Sequence, residues 1–189
     1  MPRSLLFFLA ITGLVLATVG CDAVGSEDTV ILNNANSDRG SRPTVEYTFA
    51  YDTNGDRSIE VPSEQSDDLG SILSNAGFSR ANIVSATVDS VRLERLSSKT
   101  IRDRAYVFDY LTGATVYLGS DATGTRIAEA IFDTTDRTVS LQVATRDVTD
   151  VIKNGSTPAF LQLDTDNDVP DRQDRVSVTV YYEIEVGGV

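Results

Sequence analysis

The sequence predicts an all-β domain: an antiparallel β-sandwich with Greek-key or jelly-roll connections, about eight or nine strands and one short helix near residues 66–76. After residue 43, apolar side chains recur at every second position through most of the chain, which is the period of strands with one buried face. Turn-forming residues interrupt these runs at short intervals, as they do in sandwiches. No repeat or second domain is visible in the sequence, so residues 43–189 are expected to form one domain.

The first predicted strands form a hairpin. Alternation predicts one strand over residues 44–51 and another over 57–61, and the Asn-Gly pair between them is a strong hairpin signal. The inward positions of the two strands are apolar or aromatic: Val45, Tyr47, Phe49, Tyr51, Ile59 and Val61. A short strand is also predicted upstream, over residues 29–32.

The predicted helix begins at Ser66, a good N-cap residue, and ends before Gly77, which can adopt the left-handed conformation common after helices. Its apolar residues follow the spacing of one helical face: Leu69, Ile72, Leu73 and Ala76. The sequence therefore places one amphipathic helix against the sheet.

A long strand is predicted over residues 83–96, and its apolar residues change parity midway. The even-numbered set is Val84, Ala86 and Val88, and the odd-numbered set is Val91 and Leu93. A β-bulge at Asp89–Ser90 would bring both sets to the same face of the sheet, because a bulge adds one residue to the strand.

The second half of the domain is predicted to contain six strands and one short helical segment. The strands cover residues 106–111, 114–118, 126–132, 138–145, 159–163 and 175–186. The last of them alternates most clearly, with Val176, Val178, Val180, Tyr182, Ile184 and Val186 inward. Residues 147–153 predict one or two helical turns, with acidic residues near the start and Gly155 after the end.

The composition limits the classes of function. The chain has 28 acidic residues and 16 basic ones; all of the acids but only 15 of the bases follow residue 20, giving that part a formal charge of −13. This charge argues against nucleic acid and anionic membrane surfaces as partners, and it suits a cationic ligand or a divalent ion. Aspartate and arginine dominate the charged residues, a composition typical of salt-adapted organisms, although a GC-rich genome would also favour arginine over lysine.

The chain has no histidine and no tryptophan. The usual general base and the commonest transition-metal ligand are therefore missing, which favours a protein that is not an enzyme. A hydrolase that uses Asp and Glu side chains is the alternative within the enzyme class.

The N-terminal leader is apolar with one positive charge at Arg3, and it ends in Thr18-Val19-Gly20 before Cys21, the only cysteine. This order resembles the signal peptide of a bacterial lipoprotein, in which the cysteine thiol takes a diacylglycerol and becomes the mature N-terminus. A signal cleaved after Ala23 and an uncleaved membrane anchor are the alternatives.

The lipoprotein resemblance implies a division of the chain and a location. Residues 1–20 would be the signal peptide, residues 21–42 the lipidated cysteine with a flexible polar tether, and residues 43–189 the sandwich. The protein would be anchored by lipid to a membrane of the bacterial envelope, on the periplasmic or cell-surface face.

Two aspartate-rich turns are candidate calcium sites. In the first, Asp52, Asn54 and Asp56 place oxygen ligands at alternate positions, which resembles the start of an EF-hand or dockerin calcium loop. In the second, Asp164, Asp166 and Asp168 resemble the calcium-binding repeats of thrombospondin type. The alternatives are a plain Asn-Gly hairpin for the first turn and an acidic loop that aids solubility for the second.

Together these observations predict a lipid-anchored envelope β-sandwich that acts as a non-enzymatic structural or interaction module. Its expected partners are the membrane, through Cys21, and another envelope protein. The alternative is a module that binds a glycan or another small envelope ligand, with calcium as the cofactor that the acidic turns would hold.

Overall fold

The computed structural model describes residues 29–32, 43–53, 56–64, 69–96, 110–132, 138–155, 158–166 and 173–187. Nine strands and two α-helices follow one another in these ranges. The strands are β1 (Thr29–Ile31), β2 (Thr44–Asp52), β3 (Ser58–Pro62), β4 (Ile83–Leu96), β5 (Leu111–Leu118), β6 (Thr125–Ile131), β7 (Thr138–Val143), β8 (Ala159–Thr165) and β9 (Gln173–Gly187). The helices are α1 (Leu69–Asn75) and α2 (Thr149–Lys153), and a 3₁₀ turn, Arg80–Asn82, precedes β4.

The strands form an antiparallel, sandwich-like all-β fold, as the alternation predicted. Their order is β1-β9-β4-β7-β6-β5-β8-β3, and β2 also pairs with β9. Strands β5, β6 and β7 follow one another in the chain and are also neighbours in the sheet. Strand β4 precedes β5 in the chain but lies beside β7 in the sheet. This arrangement of four strands is a Greek key.

Strand β7 connects the half of the sheet that contains β1, β2, β4 and β9 with the half that contains β3, β5, β6 and β8. Its first residues, Thr138–Leu141, pair with β4, and its last two, Gln142 and Val143, pair with β6. The buried side chains of β2, β4 and β9 join those of β3, β5, β6 and β8 in one hydrophobic cluster. The two halves therefore share a single core, as the layers of a sandwich do.

Strands β1 and β2 pair in tandem with the same edge of β9. β1 pairs with residues 185–187 and β2 with residues 173–181. The strand that the sequence predicts over residues 29–32 is confirmed, and it adds a strand to the sheet from within the segment expected to be a tether. The chain thus joins the sheet at the end of β9 that carries Gly187.

The predicted inward positions are confirmed for the two strands that build most of the core. In β2, Tyr47 and Phe49 are inaccessible to solvent, and in β9 every predicted inward residue from Val176 to Val186 is buried. Ser177, on the predicted outward face of β9, is buried as well.

Strand β4 contains the predicted bulge and a second one. The register with β9 shifts between Val88 and Ser90, as the change of parity predicted. A further shift between Ile83 and Ser85 turns Val84 out of the core, so the prediction that Val84 shares a face with Ala86 is wrong. Ile83 takes the buried position in its place.

The strands predicted over residues 106–111 and 114–118 are not separated by a turn. β5 is continuous from Leu111, and a register shift between Leu111 and Gly113 replaces the expected break. A Cβ at Gly113 would lie 3.0 Å from the Asp164 carboxylate and 3.3 Å from the Ala130 carbonyl oxygen, so the glycine permits this close packing. Residues 106–109 lie outside the described ranges.

Both predicted helical segments contain a helix, but Ala76 follows α1 in a turn and is exposed, and Asp147 forms an isolated β-bridge with Thr87 before α2. α1 buries Leu69 and Leu73 and is followed by Gly77 at φ 84°, as predicted. The predicted N-cap, Ser66, lies outside the described residues. Before α2, the Asp147 carboxylate accepts hydrogen bonds from the Thr149 backbone N–H (3.0 Å) and hydroxyl (2.7 Å). Neither α1 nor α2, nor any other helix in the described part of the chain, has the length and apolar character needed to cross a bilayer.

Candidate functional site

The two aspartate-rich turns lie next to each other at one end of the fold, which we call the acidic end and define by Asp52, Asp56, Asp164 and Asp166. Their proximity follows from the pairing of β3 with β8, because β3 begins where β8 ends. The Thr165 backbone N–H donates to the Arg57 carbonyl oxygen (3.0 Å), and the Thr165 hydroxyl donates to the Asp56 carbonyl oxygen (2.6 Å).

Four of the six predicted calcium ligands can be placed. Asp52, Asp56 and Asp166 are exposed, and Asp164 is half-buried beside Gly113. The other two, Asn54 and Asp168, lie outside the described residues, as does Cys21. Within the ranges that the structure describes, no three or more Asp, Glu, Cys or His side chains are grouped so that they could hold a metal ion. Calcium binding therefore stays a prediction.

A buried polar network lies at the same end as the aspartates and consists of Tyr51, Arg95, Tyr110 and Asp174. The Tyr110 hydroxyl donates to Asp174 Oδ2 (2.8 Å), and the hydroxyls of Tyr51 and Tyr110 hydrogen bond each other. Arg95 Nη2 lies 2.5 Å from Asp174 Oδ2. Asp174 Oδ1 accepts the backbone N–H of Arg175 (2.9 Å).

The environment of Tyr51 keeps its hydroxyl protonated. Burial, in the first place, raises the pKa of Tyr51 far above its ordinary value, because the charged phenolate would lose its hydration. The hydrogen bond with Tyr110 and the negative charge of Asp174 raise the pKa further, and the positive charge of Arg95 lowers it in part. Because Tyr110 donates its own proton to Asp174, the Tyr51 hydroxyl is the donor to the Tyr110 oxygen.

Arg95 is the cation of the network. Burial disfavours its charged form, but the hydrogen bond and negative charge of Asp174 outweigh this effect and raise the pKa of Arg95. The guanidinium carbon also lies 5.5 Å from the centre of the Tyr110 ring, a cation–π distance. The side chain of Asp174 is inaccessible to solvent and that of Arg95 is 11% exposed, so this ion pair is largely desolvated.

The network joins parts of the chain that are distant in sequence. Tyr51 lies on β2, Arg95 on β4 and Asp174 on β9, while Tyr110 directly precedes β5. Its groups bind one another beneath the surface, so it holds the strand ends beneath the acidic turns in place. The geometry is that of a structural network.

One position in the sequence, Asp174, indicates that such a network exists. The inward positions of β9 are even-numbered, so Asp174 falls on the core side of an otherwise apolar row. A carboxylate on a core face needs a partner, because burying an unpaired charge is costly. Nothing in the local sequence identifies Arg95 or Tyr110 as that partner.

The tyrosines expected in the core are found there. Tyr47, Tyr51 and Tyr182 are buried, which confirms their predicted inward positions. Tyr181, expected on the outward face, is half-buried.

No known family model matches the sequence, and comparison with curated proteins gives no match either.

Proposed function

We propose that this protein is a lipid-anchored β-sandwich of the bacterial envelope that acts as a non-enzymatic structural or interaction module. The observation that carries the proposal is that β1 and the acidic end lie at opposite ends of β9. The chain joins the sheet beside Gly187, whereas the acidic end lies around Gln173. Fourteen residue steps along β9 separate these points, a distance of about 46 Å at roughly 3.3 Å per residue.

This placement suits an anchored protein that presents one end to a partner. A lipid on Cys21 would be followed by only residues 22–28 before β1 begins. The anchor would therefore hold the β1 end near the membrane, and the acidic end would point away from it. Acyl chains stabilise the membrane-bound state by about 0.8 kcal/mol per buried methylene, and a multiply acylated cysteine would hold the protein durably.

The acidic end favours a partner with a positively charged surface. Asp52, Asp56 and Asp166 are exposed there, and charge complementarity would speed the encounter with a cationic partner. Within the described ranges, β3 pairs with β8 and no strand pairs with its other edge, which begins beside the acidic end. An extended segment of a partner could add to such an edge.

Site-specific cross-linking in native membranes tests this proposal. A photo-reactive amino acid is placed at position 56, at the acidic end, or at position 140, an exposed site in β7 that serves as the control. We expect one envelope protein to be cross-linked in high yield from position 56 and not from position 140. Equal labelling from both positions, or none from either, would contradict the interaction role.

A second candidate function is ligand binding, with calcium assisting the recognition of a glycan or another small envelope ligand. The observation that favours it is the pair of hydrogen bonds from Thr165 to the first acidic turn, which brings both predicted calcium turns to the same place. Oxygen ligands contributed by two turns could together approach the six to eight that calcium takes.

A further inference from the structure

An apolar patch lies at the β1 end of the fold, opposite the acidic end. It consists of Val30, Ile31 and Val84, which are 52%, 53% and 44% exposed. These are three of the four large hydrophobic residues that are exposed in the described part of the chain. The fourth, Ile131, ends β6 and pairs with Gly113, near the acidic end.

The patch residues lie on β1 and β4, the two strands that flank β9. A Cβ at Gly187 would lie 3.0 Å from Val84 Cγ2 and 3.7 Å from Thr29 Cγ2, so the methyl groups of β4 and β1 approach each other over the glycine of β9. Successive strand residues point to opposite faces, so Val30 and Ile31 make both faces of β1 apolar. The result is an apolar edge and not an isolated side chain.

Glu185, an acidic residue of β9 beside this patch, is engaged locally. Glu185 is the register partner of Ile31, and its carboxylate accepts hydrogen bonds from the hydroxyls of Thr29 (3.2 Å) and Ser85 (3.0 Å). These two bonds partly replace the hydration that the carboxylate would lose beneath a covering surface.

The length of chain before β1 indicates what covers the patch. Eight residue steps separate Cys21 from Thr29, which span at most about 28 Å when extended at roughly 3.5 Å per residue. An acylated Cys21 would therefore keep the patch within this distance of the bilayer, and closer whenever the segment is not extended. Exposed apolar residues gathered at one edge of a fold suit a surface that binds a membrane or a protein.

We propose that the apolar patch rests on the membrane, in the interfacial region of an uncharged or zwitterionic lipid surface. The inference depends on the lipid anchor of the proposed function. The net negative charge excludes strong attraction to anionic lipids, so apolar contact supplies the binding. The contact gives the anchored sandwich a fixed orientation, with the acidic end directed away from the bilayer.

Fluorescence quenching on the acylated mature protein tests the inference. Acylation blocks the thiol of Cys21, so a cysteine introduced by Val84→Cys becomes the single site for a bimane label. The protein is placed in phosphatidylcholine vesicles containing nitroxide-labelled lipid. Ile131→Cys, near the acidic end, is the matched control, and Ile31→Cys is a second probe of the patch.

We expect the label at position 84 or 31 to be quenched at least two-fold more than the label at position 131. Equal quenching in protein whose Cys21 is acylated would overturn the membrane contact and leave the anchor intact. Fluorescence at position 84 that changes with protein density, without lipid quenching, would assign the patch to a second copy of the chain and also overturn the inference. An unmodified Cys21 in the peptide mass would refute the anchor itself.

Discussion

Tyr51 on β2 and Asp174 on β9 are direct register partners, and the hydroxyl of Tyr110 hydrogen bonds to both side chains. Arg95 on β4 completes this network through Asp174. Three strands and the residue before a fourth are thereby joined beneath the turns that carry the exposed aspartates. The network is the part of the structure whose energetic role can be tested most sharply.

Removing the cation of the network should destabilise the fold strongly. Arg95→Ala leaves the Asp174 carboxylate buried without its ion-pair partner, which costs about 3–5 kcal/mol of unfolding free energy. Arg92→Ala is the control in the same strand, because Arg92 pairs with Glu94 at 3.8 Å on the surface, and its loss should cost less than about 1 kcal/mol. Urea denaturation measures both values. Equal losses would show that the buried pair has no special role.

The raised pKa of Tyr51 predicts a loss of stability at alkaline pH. In the unfolded chain Tyr51 ionises near pH 10, whereas in the folded protein it keeps its proton. Above pH 10 the unfolded state therefore binds fewer protons, and the unfolding free energy falls by up to about 1.4 kcal/mol per pH unit from this group. Tyr51→Phe should show a shallower decline. Parallel curves for the two proteins between pH 9 and 11 would contradict this assignment.

Two glycine substitutions should have opposite effects. A Cβ at Gly124 would lie 2.5 Å from the Leu118 carbonyl oxygen in the β5–β6 turn, so Gly124→Ala should lower the unfolding free energy by about 1–3 kcal/mol. At Gly70, in α1, the nearest atom to a new Cβ is the end of Arg80 at 4.0 Å. Gly70→Ala should therefore raise stability by about 0.5–1 kcal/mol through helix propensity. Thermal melts of both variants test the prediction, and a stabilised Gly124→Ala would contradict the turn geometry.

Calcium should stabilise the protein if the acidic turns bind it. Binding to the folded state alone adds about 2.7 kcal/mol at a calcium concentration 100 times the dissociation constant. Melts with calcium or with EDTA at fixed ionic strength should then differ, and Asp164→Asn with Asp166→Asn should remove the difference. Asp147→Asn with Asp150→Asn is the control, because these exposed acids lie at α2. Identical midpoints for the unaltered protein would exclude the calcium-assisted function.

The sequence was sufficient to predict the fold class and most of the core, because alternation along β2 and β9 depends only on which face of a strand is buried. The two bulges of β4 differ in whether the sequence reveals them. The bulge beside Ser90 changes the parity of the apolar residues and leaves a trace in the sequence. The bulge at Val84 places Ile83 in the core instead of Val84. Because both residues are apolar, this bulge leaves no trace in the sequence.

The buried network was less predictable for a different reason. The parity of β9 places Asp174 on the core side, which is a local property of one strand. Its partners Arg95 and Tyr110 are determined by the register between strands and by the start of β5, and both are properties of the tertiary fold. A single sequence shows that a partner is needed but does not show which residue supplies it.

The mass of the N-terminal peptide of the protein recovered from bacterial membranes tests the central proposal most directly. We expect a mature chain that begins at Cys21 and carries a diacylglycerol on the cysteine, with residues 1–20 removed. Cys21→Ala should then release the protein from the membrane fraction. A chain that begins after Ala23, or one that retains its leader with an unmodified cysteine, would contradict the lipid anchor and the orientation that depends on it.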